Sequence, residues 1–156
     1  MAANTSPIYP LTPAIFTASL AAASACTTRG PILNANMAIT PCFAVQLVAP
    51  GASQSPTSTA GTRIDSIQVQ AISTSFTAPT VSQTVLLWRN DATTSYVIDE
   101  IVVSAITPST TAPAFSVTKL YDNLVVPVGS SLWVSTSIAT TTSTTALAVT
   151  AFGGTY

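Results

Sequence analysis

The stretch Ser66-Ile67-Gln68-Val69-Gln70-Ala71 indicates the fold class of this chain, because apolar and polar residues alternate along it. Successive side chains of a β-strand point to opposite faces, so the pattern predicts a strand with one buried and one solvated face. Pro, Gly, Ser and Thr interrupt the short apolar runs on both sides of it. Such interruptions favour strands over long helices.

Similar short patterns recur through the second half of the chain. Further strands are predicted at residues 84–89, 96–104, 119–126, 131–136 and 146–152, with a turn at 90–94. Residues 15–25 permit either a helix or a strand. Seven or eight short strands without a convincing long helix predict an all-β fold, an antiparallel β-sandwich or jelly roll with an extended N-terminal arm.

The N-terminal segment is rich in proline, with Pro7, Pro10 and Pro13. Proline fixes φ and removes an amide donor, so neither a regular helix nor a central strand is expected there. We therefore divide the chain into an extended, proline-punctuated arm (residues 1–30) and a single β-sandwich domain (residues 31–156). Apolar residues of the arm need a surface to bury against, either in the same subunit or in a neighbour. These candidate partner-binding residues are Ile8, Tyr9, Leu11, Ile15 and Phe16.

Charged side chains are scarce, with four basic and five acidic residues among 156 and a mean hydropathy of +0.52. A typical domain has about 25% charged residues, so the 27 Thr and 19 Ser residues are expected to supply the polar surface. A net charge of −1 gives little repulsion between copies, so we expect the chain to work in an assembly. The scattered basic residues form no patch, so we predict no nucleic-acid partner.

The sequence contains no histidine, the usual group for proton transfer near neutral pH. We therefore predict that the chain is not an enzyme, with no catalytic residue and no cofactor. Asp99 and Glu100 are neighbours, so on a strand they point to opposite faces. One is expected to face solvent and the other to pair with an arginine such as Arg89. No loop concentrates carboxylates, so no metal site is predicted.

Three local features concern processing and termini. Cys26 and Cys42 are the only cysteines; buried free thiols are expected, and a disulfide between them stays open. No Lys or Arg precedes the apolar run 14–26, which is too short and too rich in Ser and Thr to span a bilayer. We expect neither a secretory signal nor a membrane partner. Gly153-Gly154 is expected to let the chain terminus turn.

Short motifs in the second half of the chain are shared with a known group of proteins. They are Val85-Leu-Leu-Trp-Arg89, Tyr96-Val-Ile-Asp-Glu-Ile101, Thr107-Pro108-Ser109, Leu124-Val-Val-Pro-Val-Gly-Ser-Ser-Leu132 and Ala151-Phe-Gly-Gly-Thr-Tyr156. This pattern resembles small tailed-phage virion structural proteins of the head decoration, or capsid cement, type. The resemblance covers a little under half of the chain, and it implies an all-β fold.

The resemblance also implies a function. The chain is expected on the outer surface of the virion capsid, where it binds neighbouring major capsid subunits and stabilises them by passive contacts. A homo-oligomer is expected, with a trimer favoured because shells offer three-fold positions. The alternative is a carbohydrate- or receptor-binding module of a phage tail fibre or adhesin. It follows from the residues gathered around one turn, which are Trp88, Arg89, Asn90, Asp91 and Tyr96.

Overall fold

The structure is a computed structural model of the chain, and it describes residues 12–21, 25–26, 44–48, 61–72, 80–91, 93–140 and 146–155. Within these residues the regular secondary structure consists of eight β-strands. The strands are β1 (Thr12–Leu20), β2 (Val45–Val48), β3 (Thr62–Ala71), β4 (Gln83–Asn90), β5 (Ser95–Val103), β6 (Ser116–Val126), β7 (Ser131–Thr136) and β8 (Leu147–Thr155).

The strands form two four-stranded sheets, which we name sheet I (order β1-β8-β3-β6) and sheet II (order β2-β7-β4-β5). The predicted all-β antiparallel sandwich is confirmed. β1 pairs with β8, β2 with β7, β3 with β6 and β4 with β5, all antiparallel, so successive pairs alternate between the sheets. The β3–β8 and β4–β7 pairings complete the sheets. A long folded ribbon of strands wrapped in this way is a jelly roll.

The core lies between the two sheets and is built from alternate residues of their strands. Ile67 and Val69 of β3 and Leu147 of β8 share one fully buried cluster with Leu87 of β4 and Val134 of β7. Each such side chain contributes about 1.5–3 kcal/mol on burial. The alternation in the stretch from residue 66 to residue 71 therefore marks the boundary between this core and the outer face of sheet I.

Sheet II is also buried on its outer face. Leu86 and Trp88 project from β4 away from the main core and pack in a second cluster with Cys26 and Ala44. Trp88 is fully buried, and its indole Nε1–H donates to Ser135 Oγ at 2.8 Å. Cys26 and Ala44 both belong to the connection between β1 and β2. This connection therefore covers part of the outer face of sheet II.

Cys26 is disulfide-bonded, so the expectation of a buried free thiol was wrong at this position. Cys42 is the one other cysteine of the chain and lies outside the described residues. The backbone N–H of Cys26 donates to the carbonyl oxygen of Thr136 at 2.7 Å. This hydrogen bond holds the buried cysteine at the end of β7, so the disulfide is anchored on sheet II.

Part of the predicted N-terminal arm is a strand of the sandwich. β1 lies within residues 1–30 and forms an outer strand of sheet I, paired with β8 along its whole length. Alternate residues such as Ala18 and Leu20 enter the core, which explains why residues 12–20 adopt a strand rather than a helix. Pro13 lies on this strand, because an outer strand tolerates a residue without an amide donor.

The expected turn at Gly153-Gly154 was wrong, because both glycines lie within β8. The ladder between β3 and β8 shifts register between Ile64 and Ser66, where β3 carries a bulge opposite Gly153. The bulge brings the Arg63 carbonyl oxygen to the place where a Cβ of residue 153 would stand. The glycine is therefore required by the close approach of two backbones.

We expect Gly153→Ala to lower the free energy of unfolding by about 1–3 kcal/mol, because the added methyl group forces the β3 bulge away from β8. Urea unfolding monitored by tryptophan fluorescence measures this change. Thr150→Ala, on the outer face of the same strand, is the matched control and should stay within about 0.5 kcal/mol of the wild type. Equal stability of the two variants would contradict the close approach.

We expect Cys42→Ser to lower the free energy of unfolding by about 3 kcal/mol, the chain-entropy value for a loop of about 15 residues. The variant keeps Cys26 itself, so the same side chains remain in the cluster around Trp88. Addition of a reductant should destabilise the wild type by a similar amount and should leave the variant unaffected. A wild-type unfolding midpoint that does not move on reduction would count against a stabilising disulfide.

Candidate functional site

Among the described residues, none packs over the centre of the outer face of sheet I, in contrast to the part of sheet II that carries Trp88. Residues that alternate with the core positions project from this face, and we consider the three central ones of each strand; the charged Arg63, Asp65 and Asp122 of β3 and β6 lie beyond them. We name these twelve residues the open face. They are Ile15, Thr17 and Ser19 of β1, Ala148, Thr150 and Phe152 of β8, Ser66, Gln68 and Gln70 of β3, and Ser116, Thr118 and Leu120 of β6.

Strand register arranges the open face in three rows that cross the sheet from β1 to β6. The rows are Ile15–Phe152–Ser66–Leu120, Thr17–Thr150–Gln68–Thr118 and Ser19–Ala148–Gln70–Ser116. Thr17 and Thr150 bring their hydroxyl oxygens within 3.3 Å of each other. Gln68 Nε2 donates to Ser116 Oγ at 3.3 Å. Side-chain hydrogen bonds therefore connect neighbouring strands on this face.

None of the twelve residues of the open face is charged. Hydroxyl and amide groups make up two rows except for Ala148, and the third row has large apolar side chains at both ends, with Phe152 beside Ile15. Ile15 is 69% exposed and Leu120 is 78% exposed. Neutral polar groups cost less to remove from water than ions do, and the apolar ends gain from burial. The face is therefore suited to contact with another surface of low charge.

None of the eight charged residues in the described part of the chain belongs to the open face, and four of them are on sheet II or at its β4–β5 turn. Arg63 and Asp65 form an ion pair, with Nε and Oδ1 2.7 Å apart, beyond the row that contains Ser66. Arg89 and Asp91 lie at the turn between β4 and β5, where the Asp91 N–H donates to the Thr94 carbonyl at 3.2 Å. The others are on the outer strands β5 and β6 and are Asp99, Glu100, Lys119 and Asp122.

A polar cluster joins the two sheets where β5 and β6 run along the same side of the sandwich. Lys119 Nζ lies 2.6 Å from Asp99 Oδ1, and the Tyr121 hydroxyl donates to Asp99 Oδ2 at 2.5 Å. The Lys119 ammonium is also 5.9 Å from the centroid of the Tyr121 ring, within the range of a cation–π contact. Asp99 therefore links β5 of sheet II to β6 of sheet I.

Two ionisation equilibria respond to this cluster. Burial acts to raise the pKa of Asp99, but hydrogen bonds from Lys119, Tyr121 and the Glu100 N–H, with the Lys119 charge, outweigh it and lower that pKa. Burial raises the pKa of Tyr121, and its hydrogen bond to the charged Asp99 raises it further. The cluster therefore favours an ionised Asp99 and a neutral Tyr121 over a wide pH range.

The expected pairing with an arginine such as Arg89 was wrong for Asp99, which binds Lys119. Asp99 faces inward and binds Lys119, whereas Glu100 is exposed on the opposite side of β5. The opposite orientation of the two carboxylates follows strand alternation, as the sequence predicts. The partner of Asp99 lies on β6, a strand of the other sheet, so it cannot be identified from the β4–β5 hairpin alone.

The predicted partner-binding residues of the arm separate into two groups. Ile8, Tyr9 and Leu11 lie outside the described residues. Ile15 projects from the open face, whereas Phe16 packs against the core on the opposite side of β1. Sequence reasoning missed the other members of the open face. The sequence signal for these residues is the absence of charge at alternate positions of four strands. That signal does not reveal that the four strands are neighbours in one sheet.

The residues expected to form a sugar-binding turn are only partly accessible. Trp88 is fully buried under the β1–β2 connection, and Asn90 is 3% exposed. Tyr96, at 45% exposure, and Asp91 remain at the surface. The aromatic ring and the amide that would recognise a sugar are therefore not available together at this turn.

Among the described residues, no three His, Cys, Asp or Glu side chains come together as a metal-binding group. The described part of the chain also has no helix long and apolar enough to cross a membrane. No protein-family model matches the chain, and neither curated proteins nor solved structures give a match to it. Arguments about function therefore depend on the geometry of the open face and on the residues around it.

We expect acidification to weaken the sandwich through Asp99. Its pKa is lower in the folded state, so its contribution is present above the unfolded pKa of about 3.9 and is lost as the pH falls through the folded pKa. Asp99→Asn should therefore lose less stability than the wild type between pH 5 and pH 3, as measured by urea unfolding. Asp91→Asn, at an exposed turn, is the control and should follow the wild type. If the free energy of unfolding of Asp99→Asn fell with pH as steeply as that of the wild type, this role of Asp99 would be refuted.

Proposed function

We propose that the chain is a structural virion protein: a capsid decoration, or cement, protein. It sits on the outer surface of a phage capsid and holds neighbouring major capsid subunits together by passive contacts. The observation that carries the proposal is the open face, twelve uncharged residues on four neighbouring strands over which no described residue packs. The resemblance of the second half of the chain to head decoration proteins supplies the biological setting.

The energetics of the open face support an assembly role. A charge that is buried in an interface without a partner costs several kcal/mol, and removing one member of a buried pair costs about 3–5 kcal/mol. The open face avoids this cost entirely. Its hydroxyl and amide groups can exchange water for protein partners, and the exposed Ile15 and Leu120 gain from burial.

The fold and the disulfide are compatible with this setting. Jelly rolls occur in viral capsid proteins and also in lectin domains, so the fold alone does not choose between a capsid protein and a sugar-binding module. Disulfides persist in oxidising surroundings, which include virion surfaces. The disulfide of Cys26 is therefore suited to a protein exposed on a released particle.

The arm is the second contact in this proposal. Ile8, Tyr9 and Leu11 lead directly into β1, whose outward residue Ile15 belongs to the open face. An apolar arm gives contact area without a second core, at the entropic cost of ordering it. The proposed partners are the major capsid protein and further copies of this chain, with a trimer favoured by the resemblance and neither nucleic acid nor membrane involved.

A sugar- or receptor-binding module of a tail fibre or adhesin is the other class of function. That hypothesis was drawn from five residues around one turn, Trp88, Arg89, Asn90, Asp91 and Tyr96. Trp88 and Asn90 are buried there while Tyr96 and Asp91 are exposed, so the full set cannot act together and our proposal is the cement protein.

We expect quantitative mass spectrometry of purified virions to find the chain in a fixed, high ratio to the major capsid protein. Purified chain added to particles that lack it should pellet with them and raise their melting temperature. Deletion of residues 1–11 leaves β1 intact and should weaken capsid binding at least tenfold. Thr110→Ala is the control, at an exposed position of the β5–β6 connection at the other end of the sandwich, and should bind like the wild type.

Two outcomes would overturn this proposal. One is the absence of the chain from virions, or a copy number that fits the tail rather than the head. The other is strong, selective glycan binding that survives deletion of residues 1–11, together with no binding to capsids.

A further inference from the structure

The three rows of the open face have a symmetry that single strands do not reveal. Each row has matching residues at its two ends, one on β1 and one on β6. The end pairs are Ile15 and Leu120, Thr17 and Thr118, and Ser19 and Ser116. The face therefore presents the same types of side chain at its two edges, whereas its two central strands differ: β8 has Phe152, Thr150 and Ala148 beside Ser66, Gln68 and Gln70 of β3.

We propose that the open face binds a second copy of this chain about a twofold axis that runs parallel to the strands between β8 and β3. This inference deepens the proposed function, on which it rests, by assigning the open face to contact between copies of the chain and the arm to contact with the major capsid protein. The rotation places β1 of one copy across β6 of the other. Each row then meets itself in reverse, so Ile15 lies against the partner subunit's Leu120, and Thr17 against the partner subunit's Thr118.

The chemistry of the face favours a second copy over a charged partner. A surface without ions cannot satisfy the charges of a partner, and it meets its own copy without repulsion or stranded charge. The apolar side chains also select the axis. Rotation about an axis across the strands would place the row of Ile15 and Leu120 on the row of Ser19 and Ser116. The axis parallel to the strands instead buries Ile15 against the partner subunit's Leu120, and Phe152 then faces the partner subunit's Ser66.

The size of the face sets the strength of the pairing. Four strands and three rows span about 19 Å by about 20 Å, or about 400 Å² in projection. Stable interfaces bury about 800 Å² of accessible surface on each partner, so this contact is below their usual size and a weak, transient pairing is expected. Dissociation constants in the micromolar range are expected, with pairing driven by high local concentration. An isologous contact closes as a pair, so a trimer would use a different surface.

The experiment introduces opposite charges at the two ends of one row. Thr17→Lys and Thr118→Glu should each weaken the dimer at least tenfold, because each places two ions in the contact. The double variant should recover to within about threefold of the wild type, because each lysine then faces a glutamate of the other copy. The two sites lie three strands, or about 14 Å, apart within one chain, too far for an internal ion pair.

Sedimentation equilibrium at concentrations up to about 0.5 mM measures the dissociation constants, and unchanged thermal midpoints verify that the exposed substitutions preserve the fold. A monomeric wild type, unchanged single variants or an unrescued double variant would each overturn the pairing. Capsid binding separates this inference from the proposed function. A monomer that binds capsids refutes the pairing alone, and a dimer of the expected register that binds no capsid refutes the function alone.

Discussion

Side-chain alternation along the strands of sheet I is the constraint on which both the core and the candidate surface depend. A strand that places Ile67 and Val69 in the core must place Ser66, Gln68 and Gln70 on the other side. The inward positions have to stay apolar to stabilise the sandwich, so variation in surface chemistry is confined to the outward ones. In this chain the twelve central outward positions are uncharged. The alternation that builds the core therefore also decides which residues share the outer face, and the scarcity of charge in the sequence leaves the centre of that face neutral.

The two sheets use their outer faces differently. Sheet II buries Trp88 under a connection that carries the disulfide-bonded Cys26, so the part of its outer face around Trp88 belongs to the internal structure of the chain. In sheet I, no described residue packs over the open face. The outer strands of both sheets have features that disfavour edge-to-edge association. In sheet I, β1 carries Pro13 and β6 carries Lys119. In sheet II, β2 has only four residues, and the pairing of β5 with β4 shifts register next to Trp88. Association through a face rather than through an edge is consistent with all of these features.

The strands were predictable where local pattern and turn residues agree. β7 (Ser131–Thr136) has the predicted bounds, and the other predicted strands of the second half differ from the observed ones by a few residues at their ends. The errors have non-local causes. Gly153 is needed because a bulge in β3 approaches β8, and Asp99 binds Lys119 because β5 and β6 meet at one side of the sandwich. The assignment of residues 12–20 to an arm failed to anticipate pairing with the last strand of the chain.

The sequence by itself determined the all-β class, the scarcity of charge and the orientation of neighbouring side chains, because these depend on composition and on a period of two residues. Only the tertiary structure decided which polar residues share a surface. Thr17 and Thr150 are in contact although 133 positions separate them, because the jelly roll pairs its first strand with its last. Strand pairing is set by the burial of side chains from distant segments in one core. The symmetric rows of the open face therefore exist only once the sheet has formed.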